Sequence, residues 1–220
     1  MRLGIYTGSH KDSEGKRDMK KVIKTVVFCI ILVAIAFLYG HIAKLHNIYD
    51  KNIDTSEYQS TEILSNKGVR QTFVCEEEYL DGVRIKSIVS NSSEDTQIHY
   101  QLINMEENQV VSSGTIQGKD VENSKFFEIS FARVTGSKGK TFELFLYSDS
   151  SSDEKDGVKF SYQPVTEEGT SFVEADKEIT EGTLILKTVT NRFDWETFIV
   201  FLGFALYVIL FMRFLYNLFK

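Results

Sequence analysis

Apolar positions along this chain fall into two regimes, unbroken runs near both ends and period-two alternation between them. From Thr25 to Ala43 the run TVVFCIILVAIAFLYGHIA carries no formal charge for nineteen residues. At ~1.5 Å per helical residue such a run covers a hydrocarbon core of ~30 Å, which predicts a transmembrane helix over 25–43. From Thr197 to Met212 the run TFIVFLGFALYVILFM is again uncharged. Arg213 can snorkel to the headgroups, so the following FLYNLF completes a second predicted span over 197–219.

Between the spans, residues 44–70 are polar, with Leu45, Ile48 and Tyr49 at helical spacing; they predict a juxtamembrane helix and linker. Beyond residue 70 the period changes to two. Gln71 to Cys75 predicts a short strand, as do the alternations through Val83, Ile85, Ser87 and Val89 and through Ile98, Tyr100 and Leu102. Further strands are predicted over 110–117, 126–134, 141–148, 158–163, 171–174 and 183–189. The clusters NSSED, MEEN, GSKGK, SDSSSDEKDG and TEEG separate them as turns. Pro164, the only proline, closes a strand run where a missing N–H costs little. Short strands at regular spacing predict an all-β antiparallel sandwich over 71–190, flanked by the two transmembrane helices.

Charge adds compartments to this layout. The formal net charge is −6, but residues 50–196 carry 28 acidic against 15 basic residues, and the rest of the chain 3 against 10. Seven lysines and arginines, Arg2, Lys11, Lys16, Arg17, Lys20, Lys21 and Lys24, crowd the first 24 residues, a basic tail that retention of positive flanks would keep cytoplasmic. Two spans then return the C-terminus to the same side and leave residues of about 44–196 extracytoplasmic. Trp195, between Asp194 and Glu196, suits the outer headgroup level, and Arg213 the inner one. A second reading of the first span is a cleaved signal peptide, since Ala34-Ile35-Ala36 has the small-x-small pattern; Phe37-Leu38-Tyr39 extends the apolar run beyond it and favours an uncleaved anchor. Cys29 and Cys75 fall on opposite sides of a membrane boundary, so no intramolecular disulfide is expected. An exported domain without one fits the cytoplasmic membrane of a bacterium. Composition excludes a nucleic-acid binder with a basic face and a disordered chain.

Candidate chemistry is sparse. No G-x-S-x-G, no H-E-x-x-H and no Cys/His pair at ligand spacing occurs, so no enzyme, cofactor or metal is expected. The loop from Asp149 to Gly157 collects oxygen ligands but misses the calcium-loop spacing, which leaves a solvated hairpin as its reading. Glu76-Glu77-Glu78 reads as a solvated turn. Phe204, Tyr207, Phe211 and Phe214 fall at a/d spacing on the second span, and Ala36 and Gly40 form a small-xxx-small pair on the first; they dock on each other, on a partner's helix, or on lipid. Arg84 and Lys86 on one predicted strand, with Gln97, His99 and Gln101 on the next, would form one polar strip if those strands pair as a hairpin. Planar amides and a guanidinium suit sugar hydroxyls; the alternative is an ordinary solvated sheet face.

Tyr79-Leu80-Asp81-Gly82-Val83-Arg84-Ile85, Tyr100-Gln101-Leu102 leading to Val110-Val111, Phe126-Phe127-Glu128-Ile129 and Ser137 to Leu144 together resemble jelly-roll, carbohydrate-binding-like domains of bacterial cell-envelope membrane proteins, including some membrane glycosyltransferases. The resemblance covers under half the chain and implies a jelly-roll-like fold and a link to glycans. The helix–domain–helix layout also resembles the polysaccharide chain-length regulators of bacterial envelopes. The expected function is a membrane-anchored β-sandwich that binds or scaffolds in envelope polysaccharide assembly or export, with the bilayer and an envelope polysaccharide or membrane protein as partners. The alternative is an accessory subunit of a transporter or glycosyltransferase complex with no ligand of its own.

The expected topology has a direct check. A cysteine replacing Ser150 should react with a membrane-impermeant maleimide in intact cells, and one replacing Ser13 only after permeabilisation. The reverse pattern refutes the orientation.

Overall fold

The computed structural model describes residues 8–149, 155–179 and 181–220. They form two units, one over Ala43–Asn191 and one made of the terminal segments up to Ile42 and from Arg192 on.

The terminal unit contains helix α1 (Gly8–Gly40) and helix α2 (Trp195–Leu218). Val22–Gly40 and Trp195–Leu218 are long and apolar enough to cross a membrane. Asp194 caps α2: its carboxylate accepts from the Glu196 amide at 3.1 Å and the Thr197 hydroxyl at 2.7 Å. The Thr197 hydroxyl holds the Asp194 carboxyl below its usual range. The Asp194 amide in turn donates to the Gly40 carbonyl at 2.8 Å, where α1 ends. Ala36 is fully buried, and a Cβ on Gly40 would lie 2.9 Å from the Phe193 ring and 3.4 Å from the Phe198 Cβ. The small pair on the first span therefore does pack. The a/d aromatics do not share in this: Phe204, Tyr207, Phe211 and Phe214 are all exposed, and the partly covered stripe in the first half of α2 is Thr197, Phe198, Phe201, Leu202 and Ala205. The small residue at 205 and the cap at 194 select that stripe, which runs at i, i+1, i+4, i+5 and i+8. Trp195 is 66% exposed.

The β unit is an antiparallel two-sheet sandwich. In chain order its strands are β1 (His41–Asn47), β2 (Gln59–Ser60), β3 (Val69–Val74), β4 (Tyr79–Ser90), β5 (Gln97–Asn104), β6 (Gln109–Gln117) and β7 (Phe126–Thr135). They continue with β8 (Thr141–Ser148), β9 (Gly157–Gln163), β10 (Ser171–Glu174), β11 (Lys177–Ile179), β12 (Thr183–Leu184) and β13 (Leu186–Phe193). One sheet runs β1-β13-β4-β9-β12, with β2 added to β9 and β7 to β4; the other runs β11-β10-β3-β8-β5-β6. Alternation sets the inner faces: Phe142, Leu144 and Leu146 of β8 are buried, as are Ile98 and Leu102 of β5, Val83 and Ile85 of β4 and Phe160 of β9.

The helical extension expected over 44–70 is absent. Beyond Gly40 the chain enters β1, whose continuation at Ile48 donates to the Leu186 carbonyl at 3.0 Å; one 3₁₀ turn at Thr55–Glu57 and β2 follow. Sheet pairing satisfies backbone groups that a three-residue apolar spacing could not organise into a stable helix. The glutamate run is also not simply solvated, since Glu77 pairs with Lys44 and Glu76 lies 3.2 Å from His46. The run expected over 183–189 divides at Ile185, whose amide donates to Ser161 of β9 at 2.9 Å while its carbonyl accepts from Lys86 of β4 at 3.0 Å.

Asp81-Gly82, a dipeptide typical of turns, sits within β4 as a bulge. Glycine is required there, because a Cβ would lie 2.7 Å from the Ile129 carbonyl oxygen. The bulge turns Asp81 to accept from Arg133 Nε at 2.8 Å and from the Asn191 amide at 2.7 Å, which joins β4, β7 and β13. Asp81 is only 9% exposed, and replacing it removes the acceptor that ties β7 and β13 to β4. Asp81→Ala should lower stability by about 2 kcal/mol, and Arg133→Ala by less, because Arg133 is half in solvent. Urea unfolding of both variants measures the difference; equal losses contradict this account.

Candidate functional site

The polar strip expected from a β4–β5 hairpin does not form, because the two strands belong to different sheets. Their connection holds itself across the sandwich edge. The Ser93 hydroxyl donates to the Gly118 carbonyl at 2.8 Å, and the Gly118 amide to Thr96 at 2.8 Å. A Cβ on Gly118 would meet the Ser93 carbonyl at 2.2 Å. With no primed two-residue turn available, the chain crosses to the second sheet. Arg84 and Lys86 thus lie on one outer face of the sandwich, and Gln97, His99 and Gln101 on the other. Each half sits beside aromatic residues from elsewhere in the chain.

On the six-stranded sheet, β8 turns Glu143, Phe145 and Tyr147 outward. Cross-strand register sets Arg70 beside Phe145 and His99 beside Tyr147. The Arg70 guanidinium lies 3.5 Å from the Phe145 ring centre and donates to Glu143 at 2.8 Å. Phe145 and Tyr147 stack at 4.9 Å, and Tyr147 stacks on His99 at 4.9 Å. Four planar groups thereby form one continuous ladder. Near-parallel neighbours cover both faces of Tyr147, so the ladder offers ring edges and polar tips rather than an open stacking surface. The imidazole is oriented by Thr115 Oγ1 at 2.9 Å and Asp149 at 3.1 Å. Gln101 lies between Phe145 and Ser113, and Gln97 opposite Gln117. Among the described residues neither amide of Gln97 or Gln101 has a hydrogen-bond partner. Donors and acceptors held beside a rigid aromatic ladder can match the alternating hydroxyls of a sugar. Phe145 and Tyr147 carried a sequence signal: counting by twos from Glu143 places both outward.

On the opposite sheet, register sets Lys187 beside Arg84, Arg84 beside Glu128, and Lys86 beside Phe126. Tyr49 and Tyr58 reach this face from the segment following β1. The Lys187 ammonium lies 4.2 Å from the Phe126 ring centre and 5.9 Å from that of Tyr49; Lys86 lies 5.1 Å from Tyr58. Arg84 is paired with Glu128 at 2.6 Å. Burial, then the positive charges of Arg84 and Lys51, push the Lys187 ammonium below its ordinary range. Burial also raises the Tyr49 and Tyr58 hydroxyls. This assembly joins four sequence-distant segments, and no local pattern announces it.

Among the described residues no group of three or more histidine, cysteine or acidic side chains is placed to hold a metal. Residues 150–154 of the acidic loop lie outside the described residues. The Cys75 thiol is buried and donates to the Glu77 carbonyl; burial pushes it up, away from the reactive thiolate.

No family model matches this chain, and no curated protein matches it. Among solved structures it is similar to a clostridial cysteine protease, Cwp84, after propeptide cleavage, at 9% identity and a TM-score of 0.41, over 68% of this chain and 40% of that one. It is also similar to the cysteine protease and lectin-like domains of Cwp84, a surface layer associated protein of Clostridium difficile, at 12% identity and a TM-score of 0.35, over 63% and 37%. The chain thus spans about two fifths of the length of these proteins.

Proposed function

We propose that this chain is a membrane-anchored extracytoplasmic β-sandwich that binds or scaffolds glycan during cell-envelope polysaccharide assembly or export. Its role is binding rather than catalysis. The observation that carries this reading is the outer face of the six-stranded sheet, where the side-chain amides of Gln97 and Gln101, unpartnered among the described residues, flank the Arg70–Phe145–Tyr147–His99 ladder. Sorted charge and two apolar helices support the placement: the β unit is acidic, the flanks basic, and both helices can span. The resemblance of its strand motifs to jelly-roll, carbohydrate-binding-like domains supports the same reading. Tethering by two helices would keep a weak site at high effective concentration near nascent polymer.

A second reading, the accessory subunit, is favoured by one feature: Phe204, Tyr207, Phe211 and Phe214 stay exposed while α1 takes a different stripe of α2. A partner helix in the membrane would fit that aromatic face.

Titration of the full chain in nanodiscs with neutral glucose and N-acetylglucosamine hexasaccharides separates the two. The binding reading predicts saturable, weak affinity, with Gln101→Ala and Tyr147→Ala each costing roughly 0.5 to 1.5 kcal/mol. Absence of binding at millimolar sugar, with loss of a co-purifying membrane partner when 204, 207, 211 and 214 are changed to leucine, leaves the accessory reading.

A further inference from the structure

The seven-stranded sheet carries a second cluster of basic and aromatic side chains, apart from the proposed glycan face. The domain around it is strongly acidic, yet Lys51, Arg84, Lys86 and Lys187 are gathered on one patch. The negative groups near them are few. Glu128 is held by Arg84 at 2.6 Å. Asp50 and Asp54, held in local turns by the Asn52 amide at 2.8 Å and the Ser56 amide at 2.9 Å, keep their charge and lie near Tyr58 at the edge of the patch. Among the described residues no carboxylate forms an ion pair with Lys51, Lys86 or Lys187.

The ammonium groups of Lys86 and Lys187 rest against rings instead. A ring face attracts the cation but accepts little hydrogen bonding, so the N–H donors remain available. The patch is exposed enough to receive a ligand: Phe126 is 38% exposed, and Tyr49, Tyr58, Lys86 and Arg84 are half-buried. The rings form one cluster, Tyr49 packing edge-on to Tyr58 and stacking on Phe126 at 6.5 Å each, with Lys86 against Tyr58 and Lys187 against Phe126 and Tyr49. Two ammoniums with free N–H donors beside a ring cluster suit an anionic sugar or polyol, its acidic groups on the ammoniums and its C–H groups against the exposed ring edges.

We propose that this face is a second binding site, specific for an anionic glycan bearing carboxylate or phosphodiester groups, formed by Lys86 and Lys187 between Tyr58, Phe126 and Tyr49, with Lys51 and Arg84 at its margin. It rests on the reading of the β unit as a glycan-binding module but uses the opposite sheet, so the two stand or fall on different residues. An anion seated between Lys187 and Lys86 would offset the mutual repulsion of the cations, and binding should weaken steeply with salt.

The test is calorimetric titration of the full chain in nanodiscs of neutral lipid. The probes are a hexamer of galacturonic acid, a hexamer of glycerol phosphate, the neutral glucose hexamer and inorganic phosphate. One or both acidic hexamers should bind, at least tenfold tighter than the neutral one, and Lys86→Gln/Lys187→Gln should reduce that affinity about tenfold or more. Tyr147→Ala should leave it unchanged. Lys51→Glu, at an exposed position remote from the core, should weaken it as well and serves where the double variant loses its native melting transition. Failure of both acidic hexamers to bind overturns the inference, and binding of the neutral hexamer in the same series would leave the first glycan face standing. Loss through Tyr147→Ala but not through the lysines, or phosphate binding as tightly as the hexamers, an adventitious ion only, also overturns it.

Discussion

Burial of two apolar sheet faces against each other is the constraint on which the β unit depends. Phe73, Phe142, Leu144 and Leu146 of one sheet and Leu80, Ile85, Phe160 and Leu184 of the other are essentially inaccessible to water. Each such side chain contributes roughly 1.5 to 3 kcal/mol relative to exposure, which must offset the ordering of the chain. No disulfide assists, since Cys29 and Cys75 are both free. Polar groups enter this interior only where fully engaged. Gln71, with no exposed surface, donates to the carbonyls of Thr72 and Ser171 and accepts from the Leu184 amide at 2.8 Å, so one side chain joins β3 and β10 of one sheet to β12 of the other. A buried amide satisfied three times fixes the relative register of the sheets more tightly than apolar contact, which has no direction.

The outer faces follow from that inner register. Once Phe142, Leu144 and Leu146 face inward, Phe145 and Tyr147 must face outward, and two large rings on the solvent side find partners in Arg70 and His99 across the neighbouring strands. Likewise, with Val83 and Ile85 inward, Arg84 and Lys86 point away from the core, where the segment following β1 brings Tyr49 and Tyr58 onto them. Both candidate binding faces are therefore products of strand parity combined with non-local pairing.

That combination also explains what was legible in the sequence. Strand parity is local, so β5, β8 and β10 and the antiparallel sandwich could be read from alternation alone, as could both apolar spans. Pairing is not local. Nothing in the residues of β4 and β5 states that Asn91 to Thr96 crosses to the second sheet instead of reversing within one, and the single polar strip fails on that point. β1 was missed because seven polar and apolar residues after a long helix carry a weak period, while the neighbour that makes them a strand, β13, lies about 145 residues away. The a/d aromatics of α2 show a related limit: spacing identifies a face, but the small residues and the cap decide which face the first helix covers. Asp81 shows the same limit, as a turn-like dipeptide that tertiary partners hold inside a strand.

The β unit should be self-sufficient, with a core that needs neither the helices nor a metal nor an oxidant. Expression of residues 43–191 alone measures this directly. Its circular dichroism should be strand-dominated, with one cooperative unfolding transition whose midpoint is unchanged by chelator or reductant. A helical or unfolded spectrum, or a transition lost on adding either reagent, would contradict it.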